Sequence, residues 1–511
     1  MHMQANGIAY RLKNENMILR EIGGVRMKSK CLAVMLLLSL LLAFVSCSAP
    51  APREYQSVGV PPTSPVPLSC SASGELVEGS ARAEQYLAPA QSVREYIYQG
   101  LLAGQDEIDI SAYKIPTDQI TLLYTEIMNT HPDLFFVHPG ISYSYTSAGY
   151  IVTLKPSYRI TGEELAQAQA DCDQRLDEIC AGVDENWSDF EIALYLHDYL
   201  CLHFAYDTDY EIYDMYRFLI EGKGVCQAYT LTYMALLSRF GIASDVAVSQ
   251  SMNHIWNIVI LGGTPYHVDV TWDDPIPDAE GRVLHTNFLR SDAGIAKTEH
   301  YAWESTRTCL SDAYENTFVT DVNAPFAYTA GKWLYADGAA RAVYVADFST
   351  MQGIAIAEIE ELWLAPGGHS YYVDAFVGVG AYRGNVIYNL PDKIMAHNLQ
   401  SGVTVAVPIP ALHNQQIFGL WMRGDTVYYA VSDKPDGQMQ VLSCSIADLA
   451  DYLWGDADQN GVVDGRDVTA IRRYLEGLPT VCHTGAADLD DNGAIDTRDV
   501  EILRQYLVEN N

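Results

Sequence analysis

The 511-residue chain reads as multidomain: an α+β domain, then a β-rich module, then a small all-α unit. Three observations predict that order. Apolar residues recur at three- and four-residue spacing through four segments between 89 and 204, and strand-like runs follow to about 272. Short aromatic-rich runs flanked by Gly, Asp and Asn occupy 320–450. Two matching carboxylate-rich stretches, each leading into one amphipathic helix pattern, close the chain. With 49% hydrophobic and 19% charged residues a packed core is feasible, which excludes global disorder. The balance of 31 basic against 65 acidic residues, net -34, repels nucleic acid and anionic lipid and excludes non-specific binding to either.

At the N-terminus Arg26, Lys28 and Lys30 precede an apolar run from Cys31 to Val45, so 1–46 reads as a secretory signal. That run is shorter than the roughly 20 residues that span a bilayer. Ala43-Phe44-Val45-Ser46-Cys47 resembles a bacterial lipobox, which implies lipidation of Cys47 and attachment to a membrane through that anchor only. Phe44 stands where the motif prefers Leu, and a plain secretory cut stays open. Residues 47–78 form a proline-rich, extended tether holding Pro50, Pro52, Pro61, Pro62, Pro65 and Pro67. Both features place the protein outside a bacterial cell. The remaining cysteines are scattered, unlike a disulfide scaffold. Cys172 and Cys180, eight positions apart on one helix, sit about 12 Å apart, too far to bridge.

Residues 79–320 carry the chemistry. Pro89–Ala103, Thr117–Asn129, Gly162–Ala181 and Ser188–Phe204 read as helices, with Ser188 and Glu191 a capping box. Ser142–Leu154 reads as strand. Gly222-Lys223-Gly224-Val225-Cys226-Gln227 then sets Cys226 at the start of a helix, where backbone N–H groups and the helix dipole favour a thiolate. Strands over Ala243–Val248, Asn253–Ile260 and Tyr266–Trp272, with Gly262-Gly263 as the turn, bring His254 and Asp269 onto adjacent antiparallel strands. A thiol nucleophile needs a base, and the base needs a carboxylate to orient it. His267 shares the parity of Asp269, so alternation alone leaves it a rival base. Trp256, Trp272, Tyr229 and Tyr233 line the cleft or fill the core.

Gly224-Val225-Cys226-Gln227, His254-Ile255-Trp256-Asn257 and His267-Val268-Asp269-Val270-Thr271-Trp272-Asp273-Asp274-Pro275 resemble the three motifs of the transglutaminase-like superfamily. The resemblance implies a papain-like fold with a Cys226, His254, Asp269 triad in that chain order and no cofactor for catalysis. It implies thiolate attack on an amide carbonyl of a protein or peptide, giving a thioester. Water then makes the enzyme a peptidase or amidase, and a lysine amine makes it a cross-linking transglutaminase. Water abounds outside a cell, so hydrolysis is the default, and some relatives of this kind have lost activity.

In the β-rich module, 321–450, Lys332–Tyr335, Ala342–Ala346, Gly384–Tyr388 and Asp425–Val431 read as short strands. Val386 and Val427 lie 41 positions apart, near a propeller-blade period, but the span holds only about three blades. A sandwich or an open meander fits equally. No nucleophile or ligand cluster stands out there.

Within 451–511, Asp456, Asp458, Asn460, the Val462 carbonyl, Asp464 and Asp467 fall at positions 1, 3, 5, 7, 9 and 12 of a calcium loop. Asp488, Asp490, Asn492, the Ala494 carbonyl, Asp496 and Asp499 repeat it. Two calcium ions are expected. Gly461 and Gly493 permit the turn at position 6, and helices are expected over Val468–Leu478 and Val500–Leu507. A duplicated loop–helix with Asp at position 12 resembles a type I dockerin, whose partner is the cohesin module of a scaffoldin. That resemblance puts the cohesin contacts at Gly465, Arg466, Thr497 and Arg498, where the arginines depart from the familiar Ser/Thr pairs. The fold class expected is thus an α+β papain-like transglutaminase core, a β-rich middle module and a small all-α calcium-binding dockerin.

Overall fold

The computed structural model describes residues 72–76, 92–276, 279, 281–399, 402–435, 437–447, 455–460, 462–490 and 494–509. The signal, Cys47, most of the tether, Asn492, Gly461 and Gly493 lie outside them.

The described chain opens with β1 (Ala72–Leu76), α1 (Val93–Leu102), β2 (Ile108–Asp109), α2 (Ile120–Thr130), β3 (Ile141–Tyr145) and β4 (Ile151–Lys155). These strands form one sheet in the order β1-β3-β4-β2. The single strand expected over 142–154 is a hairpin. Gly149 takes a left-handed φ of 80°, and the Thr146 N–H donates to the Tyr150 carbonyl at 2.8 Å.

Helices α3 (Gly162–Cys180) and α4 (Asp189–His203) follow as expected, and Ser188 with Glu191 closes the capping box at the start of α4. Next come β5 (Ala205–Tyr206), α5 (Met215–Glu221), β6 (Lys223–Gly224) and α6 (Cys226–Arg239). Every residue of α6 from Ala228 to Leu237 is buried, as a helix with apolar residues all round must be. It lies on a four-stranded antiparallel sheet of β7 (Ala243–Ser249), β8 (His254–Leu261), β9 (Thr264–Val268) and β10 (Glu304–Ser305), in the order β10-β7-β8-β9. The third strand expected here stops at Val268, because the Asp269 carboxylate accepts the Trp272 N–H at 3.2 Å and starts a helical turn, α7 (Val270–Asp273). A second short turn, α8 (Asp292–Ile295), precedes β10.

Three successive antiparallel meanders make up the β-rich part. They are β11–β14 (Ala327–Thr329, Lys332–Asp337, Ala342–Asp347, Gln352–Glu358), β15–β18 (Val379–Tyr382, Asn385–Asn389, Ile394–Asn398, Thr404–Val407) and β19–β21 (Gln416–Arg423, Thr426–Ser432, Gln440–Ser445). β15 lies against β11 and β12, and β19 against β15 and β16, a blade-like succession rather than a sandwich. The first meander is not free of the α+β part. Trp333 and Tyr335 join its apolar core, and the Trp333 indole donates to Glu191 at 2.8 Å.

At the C-terminus α9 (Gly465–Leu475), α10 (Thr484–Ala487) and α11 (Thr497–Glu509) enclose a small core of Ala457, Ala470, Ile471, Leu489, Val500 and Leu503. α9 and α11 start three residues earlier than the apolar pattern suggests. For α9 the reason is the Asp464–Asp467 capping box, which nucleates the helix inside the loop. Among the described residues no helix is long and apolar enough to cross a membrane.

Gly224 is where the backbone passes closest beneath α6. A Cβ there would lie 2.5 Å from the Phe218 ring and 2.7 Å from the Ala228 Cβ. Gly224→Ala should therefore destabilise by about 1–3 kcal/mol through overpacking. A urea midpoint equal to that of the unsubstituted chain would show that the close approach is not a constraint.

Candidate functional site

Cys226 is the first residue of α6, and its position is set from three sides. The Val225 N–H donates to the Ile212 carbonyl at 2.9 Å, anchoring the start of the helix. One turn on, the Thr230 hydroxyl donates to the Ile255 carbonyl at 3.2 Å and the Asn257 amide to the Thr230 carbonyl at 3.0 Å, which locks α6 against β8. The Gln227 amide reaches Asn129 of α2 at 2.8 Å. Val225 offers no side-chain cap, and while the Ala228 N–H donates to the Val225 carbonyl at 2.9 Å, the Cys226 and Gln227 N–H groups are left for another acceptor.

His254, the first residue of β8, lies close enough to the Cys226 thiol for the two to interact electrostatically, and its Nε2 donates to Asp269 Oδ2 at 2.5 Å. All three are buried, at 1%, 3% and 1% exposure for Cys226, His254 and Asp269. Burial alone would strip His254 of its proton. Asp269 and Cys226 override that and push its pKa up to about 10. Burial likewise raises Asp269, but the facing His254 and His300 hold it well below the usual carboxylate range.

His300 is a site residue that sequence reasoning missed. Its Nε2 lies 2.9 Å from the same Asp269 oxygen, 31 positions away in a stretch with no motif. Trp256 and Trp272 lie nearly parallel to the His254 ring, with centroids at 5.5 and 5.2 Å. The Trp272 indole N–H is buried with no hydrogen-bond partner among the described residues. Tyr229 and Tyr233 belong to the core instead, bonded to Asp274 and to the Ala193 carbonyl.

The rival base faces elsewhere. His267 Nδ1 accepts the Trp256 indole N–H at 2.9 Å, so the ring proton is on Nε2, which donates to Asp292 at 2.9 Å. Cys309 stands in that cluster, yet His267 has no ring nitrogen left to serve it. Burial lowers the His267 pKa, while it pushes Cys309 up to about 12.

The C-terminal loops form two carboxylate clusters. Side-chain oxygens of Asp456, Asp458 and Asp467 lie within 4.8 Å of one another, and so do those of Asp488, Asp490 and Asp499. The position-12 carboxylates are fixed by loop backbone: Asp467 accepts from Asp458 and Asp464 at 3.0 and 2.8 Å, and Asp499 from Leu489 and Asp496 at 2.7 and 2.8 Å. Burial, then the neighbouring Asp458 and Asp456, raise Asp467. Asp490 Oδ1 is buried without a hydrogen-bond partner. Crowded carboxylates and an orphaned buried oxygen fit a hard cation taken up through oxygen. Of the expected contact residues, Arg466 bonds Asp464 at 2.7 Å and Arg498 bonds Asp490 at 3.2 Å, while Gly465 and Thr497 open α9 and α11.

Residues 176–270 match the family model of the transglutaminase-like superfamily, and 454–508 that of the dockerin type I domain. The chain carries a transglutaminase-like domain and a type I dockerin. A solved structure titled "Crystal structure of a TGase" is similar at 12% identity and a TM-score of 0.19, over 31% of this chain and 48% of that one. The chain thus spans about half of that structure. No curated protein matches it. Type I dockerins bind calcium and pair with cohesins, and the transglutaminase-like superfamily is usually one of cysteine enzymes.

The raised His254 and lowered Asp269 set a pH window. His254 stabilises the fold fully below its unfolded pKa near 6.5 and loses that contribution as pH rises through about 10. Asp269 contributes above about 4 and loses it as pH falls. Asp269→Ala should therefore lower stability by about 3–5 kcal/mol at pH 5–6, with the deficit shrinking as pH climbs from about 6.5 towards 10. Chemical denaturation across that range measures it, and a pH-independent deficit would rule out ionic pairing as its source.

Proposed function

We propose that the protein is an exported cysteine enzyme that cleaves peptide or isopeptide amide bonds and is held by its dockerin on a cohesin-bearing scaffold. The observation that carries this reading is the buried His254 bonded to Asp269 and interacting with the buried Cys226 thiol at the start of α6. In this reading Cys226 is the nucleophile, His254 the base and then the acid, and Asp269 the group that fixes the tautomer of His254. The substrate carbonyl is attacked, the amine leaves with the His254 proton, and water resolves the thioester. Resolution by a lysine amine instead is cross-linking, the same first half-reaction with another acceptor. The 1% exposure of Cys226 favours a second reading, a catalytically silent binding component of a cellulosome-type complex.

The two loops are proposed to hold one calcium each, through Asp456, Asp458, Asn460, Val462, Asp464 and Asp467 and through Asp488, Asp490, Asn492, Ala494, Asp496 and Asp499. Gly465, Arg466, Thr497 and Arg498 are proposed as the cohesin face. The division into 1–46, 47–78, 79–320, 321–450 and 451–511, with lipid on Cys47, completes the reading.

Two outcomes test it. A peptide library incubated with and without a primary amine should yield cleaved products by mass spectrometry, and Cys226→Ala should abolish them. Amine-dependent adducts would move the assignment to cross-linking, and no product from the unsubstituted protein would favour the silent component. Separately, calcium at a thousandfold over its Kd should stabilise the dockerin by about 4 kcal/mol. A paired Asp467→Ala, Asp499→Ala variant should lose that response and cohesin binding. Helical content and cohesin affinity indifferent to chelator would remove the calcium assignment.

A further inference from the structure

A buried hydroxyl with no hydrogen-bond partner among the described residues belongs to the segment tied to the start of α6. Tyr213 lies just before α5, and the 2.9 Å bond from the Val225 N–H to the Ile212 carbonyl ties its segment to the start of α6. The ring is half-buried, but its hydroxyl is out of solvent and has no hydrogen-bond partner among the described residues. Burial, then the nearby Cys226, Asp207 and Tyr210, push its pKa up to about 12, so it carries its proton at neutral pH. Asp207 does not satisfy it. That carboxylate is held by Lys223 at 2.9 Å and by the N–H groups of Glu211 and Ile212 at 2.7 and 3.0 Å. A buried hydroxyl without a partner is destabilising, and folded proteins keep few of them. Such a donor, on a segment bonded to the residue before the nucleophile, is what a transient acceptor at that spot requires.

We propose that the Tyr213 hydroxyl is a catalytic residue that donates to the oxyanion formed when Cys226 attacks an acyl carbon. The assignment rests on the acyl-transfer reading above. Cys226 Sγ forms a bond to the carbonyl carbon, and the C=O π pair moves onto oxygen. Tyr213 donates a hydrogen bond to that oxygen and keeps its proton, alongside the Cys226 and Gln227 N–H groups at the start of α6. When the C=O re-forms, the C–N bond breaks, the amine leaves with the proton from His254, and the thioester remains on Cys226.

The test uses the full chain with calcium and two reagents. p-Nitrophenyl acetate acylates through a tetrahedral oxyanion, and iodoacetamide alkylates by displacement at a saturated carbon. Tyr213→Phe should slow acetylation of Cys226, followed by intact mass, about 100-fold or more. Its iodoacetamide rate should be unchanged. Its thermal midpoint should be equal or higher, because the lost hydroxyl had no partner. Acetylation at the unsubstituted rate overturns the assignment. Equal slowing of both reactions also overturns it, since the hydroxyl would then act on the thiol. If iodoacetamide labels Cys226 in the unsubstituted protein but no acetyl adduct forms, the acyl-transfer reading itself falls and takes Tyr213 with it.

Discussion

Charge removed from water needs counter-charges or hydrogen bonds, and three carboxylates of one short turn draw them from three parts of the fold. Asp269, Asp273 and Asp274, in and beside α7, are all under 4% exposed. Each reaches a different part of the fold. Asp269 bonds His254 of β8 and His300; Asp273 bonds His197 of α4 and Asn287; Asp274 bonds Tyr229 of α6. The turn therefore joins the central helix, its sheet and α4 through groups that are unfavourable to bury singly. His197 extends the network to Asp198, which accepts the Phe326 N–H at 2.8 Å just before the first meander. The site and the seam to the β-rich part share one set of buried charges.

That constraint also separates two cysteines that look alike in outline. Cys226 and Cys309 are both buried, and each has a histidine and an aspartate nearby. The difference is hydrogen-bond direction. His254 gives Nε2 to Asp269 and has its other ring nitrogen uncommitted among the described residues, whereas the Trp256 indole N–H occupies the nitrogen His267 would need. A single indole decides which histidine is able to act as a base.

The dockerin handles its charge differently. From 456 to 511 there are twelve acidic and five basic residues, and six of the carboxylates gather into two clusters. There the repulsion is left for a cation to relieve, with arginines on two of the rim carboxylates. The rest of the net charge is spread along the chain without the spacing of a ligand set.

Much of this was legible in the residues. The two loops announce themselves because calcium needs oxygen at fixed positions of one short segment, so the ligand set is local. Cys226 before a helix, the His254–Asp269 pair and the Ser188 capping box are legible for the same reason: each depends on neighbours in the chain. What stayed out of reach is non-local. The bond from His300 to Asp269, the loss of His267 to Trp256 and the Tyr213 hydroxyl without a partner among the described residues depend on elements brought together by folding, or turn on which way a proton points. The blade-like succession was among the readings left open, because short strands show their pleat but not their partners. Sequence by itself determined the chemistry available and the kind of element that carries it. Only the tertiary structure decided which donors and acceptors meet, because burial sets the penalty for every polar group left unpaired.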